Sequence, residues 1–294
     1  MSLSDNSEVA SPGHKLGQMV GMILQGTLKA PLQKIALGKG LYCDCQGPRP
    51  GVREGTKVTW VDLHGIPHDL DYVFERNASP FKRGEPVAFI EVAWRRYTKH
   101  SRAKSGEIEG ALLPLSQTFP SVRFLGAIIA GEYTEQGLEQ LRRSGISVMA
   151  ISFNIIRDVF ASENVKIDYP EKASAQEKAE LNRVLESLNQ TQLKKIPEHL
   201  WKSIERDYGE FERRLTAELE RVPKSIRVVT LLGYDRTFST IEEAIKALEV
   251  ETRTIAPSLS EQGYEVFVEF ATGSKIDARF KTKDELMRFL NQIR

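Results

Sequence analysis

The chain has 294 residues, 41 Lys and Arg against 40 Asp and Glu, and a net charge of +1, which excludes a protein that attracts polyanions over its whole surface. With 40% hydrophobic residues it is long enough to bury a real core in one large domain or two modest ones. No segment approaches the length needed to cross a bilayer, and the polar start Ser2 to Glu8 lacks the apolar core of a signal peptide, so a soluble, cytoplasmic protein with no membrane partner is expected.

Residues 1–13 are polar and expected to be disordered. From His14 to Leu37 the residues Leu16, Met19, Val20, Ile23, Leu24 and Leu28 recur at helical spacing, interrupted by Gly17, Gly21 and Gly26. These glycines are scattered rather than ordered as a phosphate loop, so the segment reads as a packing helix. Cys43 and Cys45 stand with one residue between them; zinc held with two histidines is the weaker reading, because the usual spacing and a second cysteine pair are missing.

Pro67-His68-Asp69 is a turn sequence in which Asp69 can cap backbone amides. Asp71 precedes Tyr72-Val73-Phe74, which has strand composition. Pro86 to Trp94 is a near-continuous apolar run, a central strand buried on both faces. A carboxylate within it is costly unless paired or bound to a metal, so Glu91 needs a partner. Strand alternation puts Glu91, Ala93 and Arg95 on one face, and a structural Glu91–Arg95 salt bridge is the plainer reading.

Arg95, Arg96, Lys99, His100, Arg102 and Lys104 follow within ten positions, a local cluster able to hold phosphate without moving the overall charge; a solvated basic helix start is the alternative. Ile108, Ala111, Leu112 and Leu115 mark the buried stripe of a helix, with Pro114 expected to kink or shorten it. Lys104 continues that stripe toward the strand ends, or forms an exposed pair with Glu107. Arg123 to Gly131 is a buried strand, Thr134 to Ser144 an amphipathic helix and Ile146 to Phe153 another strand, a unit that implies a parallel crossover.

Asp71, the strand carrying Glu91-Val92-Ala93, the basic helix and the strand-helix-strand unit together resemble the PD-(D/E)xK nuclease superfamily, most closely its type II restriction endonucleases, over roughly residues 15 to 160. The resemblance implies an α/β restriction-endonuclease-like core, a mixed sheet flanked by helices. It further implies Mg²⁺-dependent hydrolysis of double-stranded DNA by a homodimer, with Asp71 and Glu91 as metal ligands and Arg96, Lys99, His100 and Arg102 on the DNA. Two positions depart from the pattern: Leu70 replaces a proline, and Ala93 replaces the lysine that orients the attacking water. Lys104 is the first choice for the relocated cation, with Arg95 and Lys99 as the others. The loss at Ala93 keeps a second class open, a catalytically inactive DNA-binding or interaction protein on the same fold. A repair or recombination nuclease is a third.

After residue 160 the composition changes. Lys172 to Val222 reads as two helices divided by Pro197, the second with Leu200, Trp201, Ile204, Tyr208, Phe211, Leu215 and Leu219 as its apolar face. It serves either as a dimerisation arm or as packing for the core. The remainder contains an internal repeat: Phe238 to Leu248 aligns with Phe280 to Leu290, each segment follows a hairpin, and each helix starts after a Ser or Thr with acidic residues behind it. The expected organisation is a nuclease core over 14–165, a helical segment over 166–223 and a small α+β domain of two ββα units over 224–294.

Overall fold

The glycine-interrupted apolar stripe forms one long helix, α1 (Pro12–Gly38), with Leu16, Val20, Leu24 and Leu28 buried along a single face. In the computed structural model, which describes residues 12–96, 101–168, 174–230, 233–251 and 263–293, α1 lies against β1 (Tyr42–Cys45) and the central strand of the main sheet. A separate two-stranded hairpin follows, β2 (Val58–Val61) with β3 (Pro67–Leu70), and then β4 (Tyr72–Arg76) and β5 (Glu85–Arg95). Helix α2 (Ser101–Thr118) leads to β6 (Phe124–Gly131), and α3 (Glu135–Arg143) to β7 (Ser147–Ser152) and α4 (Phe153–Ser162).

The main sheet has five strands in the order β1-β4-β5-β6-β7. The β1–β4 and β4–β5 pairs are antiparallel, whereas β5–β6 and β6–β7 are parallel. The fold is therefore mixed α/β, a mixed sheet flanked by helices. The apolar run of β5 explains its central place, since Val87, Ala88, Phe89 and Ile90 are all buried. Helices α2 and α3 make the parallel crossovers that a two-residue turn cannot. Ile108, Leu112 and Leu115 of α2 are buried as their spacing predicts. Pro114 does not end that helix; it stands in the last turns, where the Thr118 hydroxyl donates to its carbonyl at 2.7 Å.

Gly131 closes β6 at φ 107°. A Cβ there would lie 1.9 Å from the carbonyl oxygen of Arg95, so only glycine lets the ends of β5 and β6 run so close together. The other edge of the sheet is fastened by charge. Arg49 donates to Asp44 of β1 at 2.6 Å, to Glu75 of β4, and to the carbonyls of Ser79 and Lys82 at 2.9 and 2.8 Å. Arg53 adds a bidentate pair to Asp44 at 2.6 and 2.9 Å, and Glu75 accepts the Gly84 amide at 2.6 Å. Asp44, Arg49 and Glu75 are all buried, so each charge is matched and its hydrogen bonds are filled.

The helices that follow are α5 (Ala175–Glu186) and α6 (Gln190–Leu219). Their break falls before Asn189, not at Pro197, which stands inside α6. Asn189 is the cause: its side chain accepts the Gln192 amide at 2.9 Å while Gln192 accepts the Asn189 amide at 3.1 Å, a reciprocal cap that starts a new helix. Leu200, Ile204, Tyr208, Phe211 and Leu215 are buried.

The chain divides into two compact units, Met1–Thr118 with Phe124–Arg214, and Phe119–Arg123 with Leu215–Arg294. The helical segment expected over 166–223 is thus not a body of its own. Helix α5 and most of α6 group with the mixed sheet, because their apolar faces are buried there. The second unit holds β8 (Pro223–Thr230), β9 (Asp235–Phe238), α7 (Ile241–Glu251), β10 (Tyr264–Phe270), β11 (Lys275–Phe280) and α8 (Lys283–Ile293). Its antiparallel sheet has the order β11-β10-β8-β9, so two ββα units join through their first strands. Thr240 and Thr282 each accept the amide of the glutamate three residues on, Glu243 and Glu285, at 3.2 Å. Val228, Val266, Phe270, Leu286 and Leu290 share one core. Among the described residues no helix is long and apolar enough to cross a membrane.

Candidate active site

Asp71 stands where the chain changes sheets. Leu70 pairs with Val58 in the small hairpin, and Tyr72 pairs with Ile90 in the main sheet. The antiparallel ladder between β4 and β5 therefore ends one pair short of Asp71 and Glu91. The Val92 amide, beyond that end, donates to Asp71 Oδ2 at 2.7 Å, and the Gln25 side-chain amide from α1 donates to Oδ1. The Tyr72 hydroxyl in turn donates to the Gln25 carbonyl, which fixes this turn of α1 against the start of β4.

Glu91 projects from β5 beside this group. Its Oε1 is buried and has no hydrogen-bond partner among the described residues. Burial raises both carboxyls above the usual carboxylate range. For Asp71 the Val92 amide, the Lys104 charge and Gln25 oppose that shift. For Glu91 the neighbouring Asp71 carboxylate adds to it, and Lys104 opposes it. Two desolvated carboxylates that repel each other favour either a shared proton or a bound cation.

Lys104 lies on α2 with its ammonium 3.0 Å from Glu107. It forms the i,i+3 pair, half-buried rather than exposed, and its charge acts on Asp71 and Glu91. Arg95 does not bridge to Glu91, although alternation places them on one face. Its guanidinium turns to Glu107 at 3.6 Å and to the Trp94 carbonyl at 3.2 Å. Glu107 thus gathers Lys104 and Arg95 at the carboxyl ends of the parallel strands. The Tyr133 hydroxyl is buried near Arg95 and Glu107, has no partner among the described residues, and is raised by burial.

Arg96 pairs with Asp168 at 3.0 Å and packs its guanidinium 3.6 Å from the Phe153 ring centroid, an arrangement that anchors the end of β5. Lys99 and His100 lie outside the described residues, as does the side chain of Arg102. Asp69 pairs with Lys57 at 2.7 Å and accepts from Thr59 at 2.6 Å, so it serves the hairpin. Cys43 and Cys45 are free thiols.

Among the described residues no three His, Cys, Asp or Glu side chains come together as a ready-made metal cage. The pair still fits a hard cation of the Mg²⁺ type, which keeps several waters and needs only one or two carboxylates besides phosphate oxygens. The unpartnered Glu91 Oε1 is the free ligand such an ion requires. Gln25 was not visible as a site residue from sequence, because a polar position beside a buried stripe carries no signal of which carboxylate it meets.

No family model matches the chain, and no curated protein matches it. A solved structure of a protein of unknown function shares 12% identity at a TM-score of 0.29, covering 64% of this chain and 97% of that one.

Proposed function

We propose that the protein is a metal-dependent DNA endonuclease, with Mg²⁺ bound by Asp71 and Glu91 and a restriction-endonuclease-like first unit. The observation that carries this reading is the pair itself: two desolvated carboxylates, one just before β4 and one in β5, the latter with a buried unpartnered oxygen, and a lysine from the next helix within electrostatic reach. Asp71 and Glu91 would hold a divalent ion, which would supply Lewis-acid activation of a water and of the phosphoryl oxygen. Val92 and Gln25 hold Asp71 in place for this role. Lys104 stands in for the lysine absent at Ala93, near the developing negative charge. Cleavage of both strands of a duplex needs two such sites, hence a homodimer.

One feature favours the second reading, a DNA-binding protein without the chemistry: Glu107 holds Lys104 in an ion pair. The two separate cleanly. Incubated with supercoiled plasmid, the wild type should nick or linearise it with Mg²⁺ and leave it intact in EDTA. Asp71→Ala and Glu91→Ala should abolish cleavage while keeping the native circular dichroism spectrum and DNA binding in Ca²⁺. Wild-type cleavage by either variant refutes the assignment, and binding without cleavage by the wild type establishes the second reading.

A further inference from the structure

Beside Asp71, on its α1 side, a cleft of about 180 Å³ opens to the surface between α1, β1 and the start of β4. Met22, Gly26 and Lys29 line it from α1, Cys45 and Gln46 from the end of β1, and Asp71 forms its inner wall. Its volume is below the ~300–1,000 Å³ of clefts that enclose drug-sized molecules, so it takes one ring system and not two.

Its chemistry is mixed. The exposed Met22 side chain gives apolar surface, while Tyr72, also in the lining, is 2% exposed. The Gln46 amide offers a donor and an acceptor together, the pattern that reads the edge of a heterocyclic base. Lys29 is exposed and places a cation at the cleft beside Cys45, where its charge favours the ionised thiol against the effect of burial. Gly26 leaves the α1 wall open, for a Cβ there would meet nothing within 4 Å. A cation, an amide and an apolar floor against a proposed metal ligand match one nucleotide: base on the floor, phosphate toward Lys29.

We infer that this cleft is a nucleotide subsite, taking the base of the nucleotide next to the phosphodiester held at Asp71 and Glu91. The inference rests on the nuclease reading and places the substrate strand along α1. It names Gln46 and Lys29 as binding residues that contact the flanking nucleotide and not the cleaved bond.

The cleft carries its own reporter. The chain has two cysteines; Cys43 is buried, and Cys45 is partly exposed in the cleft. Alkylation of the full-length protein by iodoacetamide at alkaline pH in EDTA, followed by peptide mass analysis, therefore reads occupancy without metal or cleavage. Deoxyadenosine monophosphate at ten times its Kd should slow Cys45 alkylation about tenfold, and inorganic phosphate at the same concentration should leave the rate unchanged. Gly26→Leu should abolish protection by filling the cleft. It should not unfold the protein, since leucine favours a helix more than glycine does; thermal melting checks this. Lys29→Gln should weaken protection several-fold.

Equal protection by inorganic phosphate, no protection by the nucleotide, or undiminished protection in a folded Gly26→Leu variant each overturns the inference. Plasmid cleavage by the same preparation keeps the two proposals apart. Cleavage without protection removes the subsite alone, and protection without cleavage removes the nuclease reading and leaves the nucleotide site.

Discussion

Replacing Lys104 by methionine keeps the stem and removes the charge, so it separates the two roles that this side chain has in the structure. As the partner of Glu107 on one helix face, it is worth a few tenths of a kcal/mol; Lys104→Met then changes stability slightly and cleavage not at all. As the cation beside Asp71 and Glu91, it is a positioned group whose loss costs ~10²–10³ in rate, about 2.7–4 kcal/mol of barrier. The proposed function requires the second magnitude. Among the described residues Lys104 is the cation that acts on both carboxyls, and its side chain is 22% exposed where Glu107 is 56% exposed. The assay is single-turnover cleavage of a labelled duplex at saturating protein with Mg²⁺, with affinity measured separately in Ca²⁺. The expected result is a fall of ~10²–10³ in the cleavage rate with little change in affinity. Arg95→Met should be milder, since Arg95 reaches the site through Glu107 alone. Normal cleavage by Lys104→Met with an inactive Arg95→Met would refute the reasoning and give the role to the strand arginine.

Stability should depend on pH with a definite sign. Burial holds Asp71 and Glu91 above their usual values, so protonation favours the folded state; this contribution is complete below about pH 4 and is lost as pH rises through the raised values. Melting temperatures in EDTA should therefore fall from acidic toward alkaline pH, Glu91→Gln should flatten the fall, and Ca²⁺ should restore stability at the alkaline end; identical profiles for wild type and Glu91→Gln would disprove the repulsion. Arg49→Met leaves Asp44 and Glu75 buried without their shared cation, and urea unfolding should show a loss of roughly 3–5 kcal/mol. A loss below 1 kcal/mol would mean that water or Arg53 takes over the pairing.

The parts of this protein that were legible in its sequence are those in which cost is local. An apolar run of nine residues must be buried, so the place of β5 followed from composition. A carboxylate inside that run must be compensated, so Glu91 stood out before any partner was known. The second ββα unit repeats the cap chemistry of the first, Thr240 with Glu243 and Thr282 with Glu285, and caps act within three residues. Partners are a different matter, because they depend on register and on elements far apart in the chain. Alternation correctly puts Arg95 on the face of Glu91, yet a long side chain can turn away, and Glu107 of α2 draws the guanidinium off. Gln25 meets Asp71 from 46 residues away, and nothing near either residue encodes that contact.

Arg49 shows the same limit from the other side. Its partners lie 5 and 26 residues away, and until β1 pairs with β4 the three charges look like ordinary surface residues. Pro197 adds a case of competing local signals: a proline can break a helix, but the reciprocal cap at Asn189 sets the start of α6, and the 30-residue helix continues through Pro197 at the cost of one backbone hydrogen bond. The candidate site combines both kinds of information. The expense of Glu91 is written in its neighbours along β5, whereas the means of meeting it, a cation shared with Asp71 under the charge of Lys104, arises only where the β4–β5 ladder stops one pair short and leaves the Val92 amide to hold Asp71.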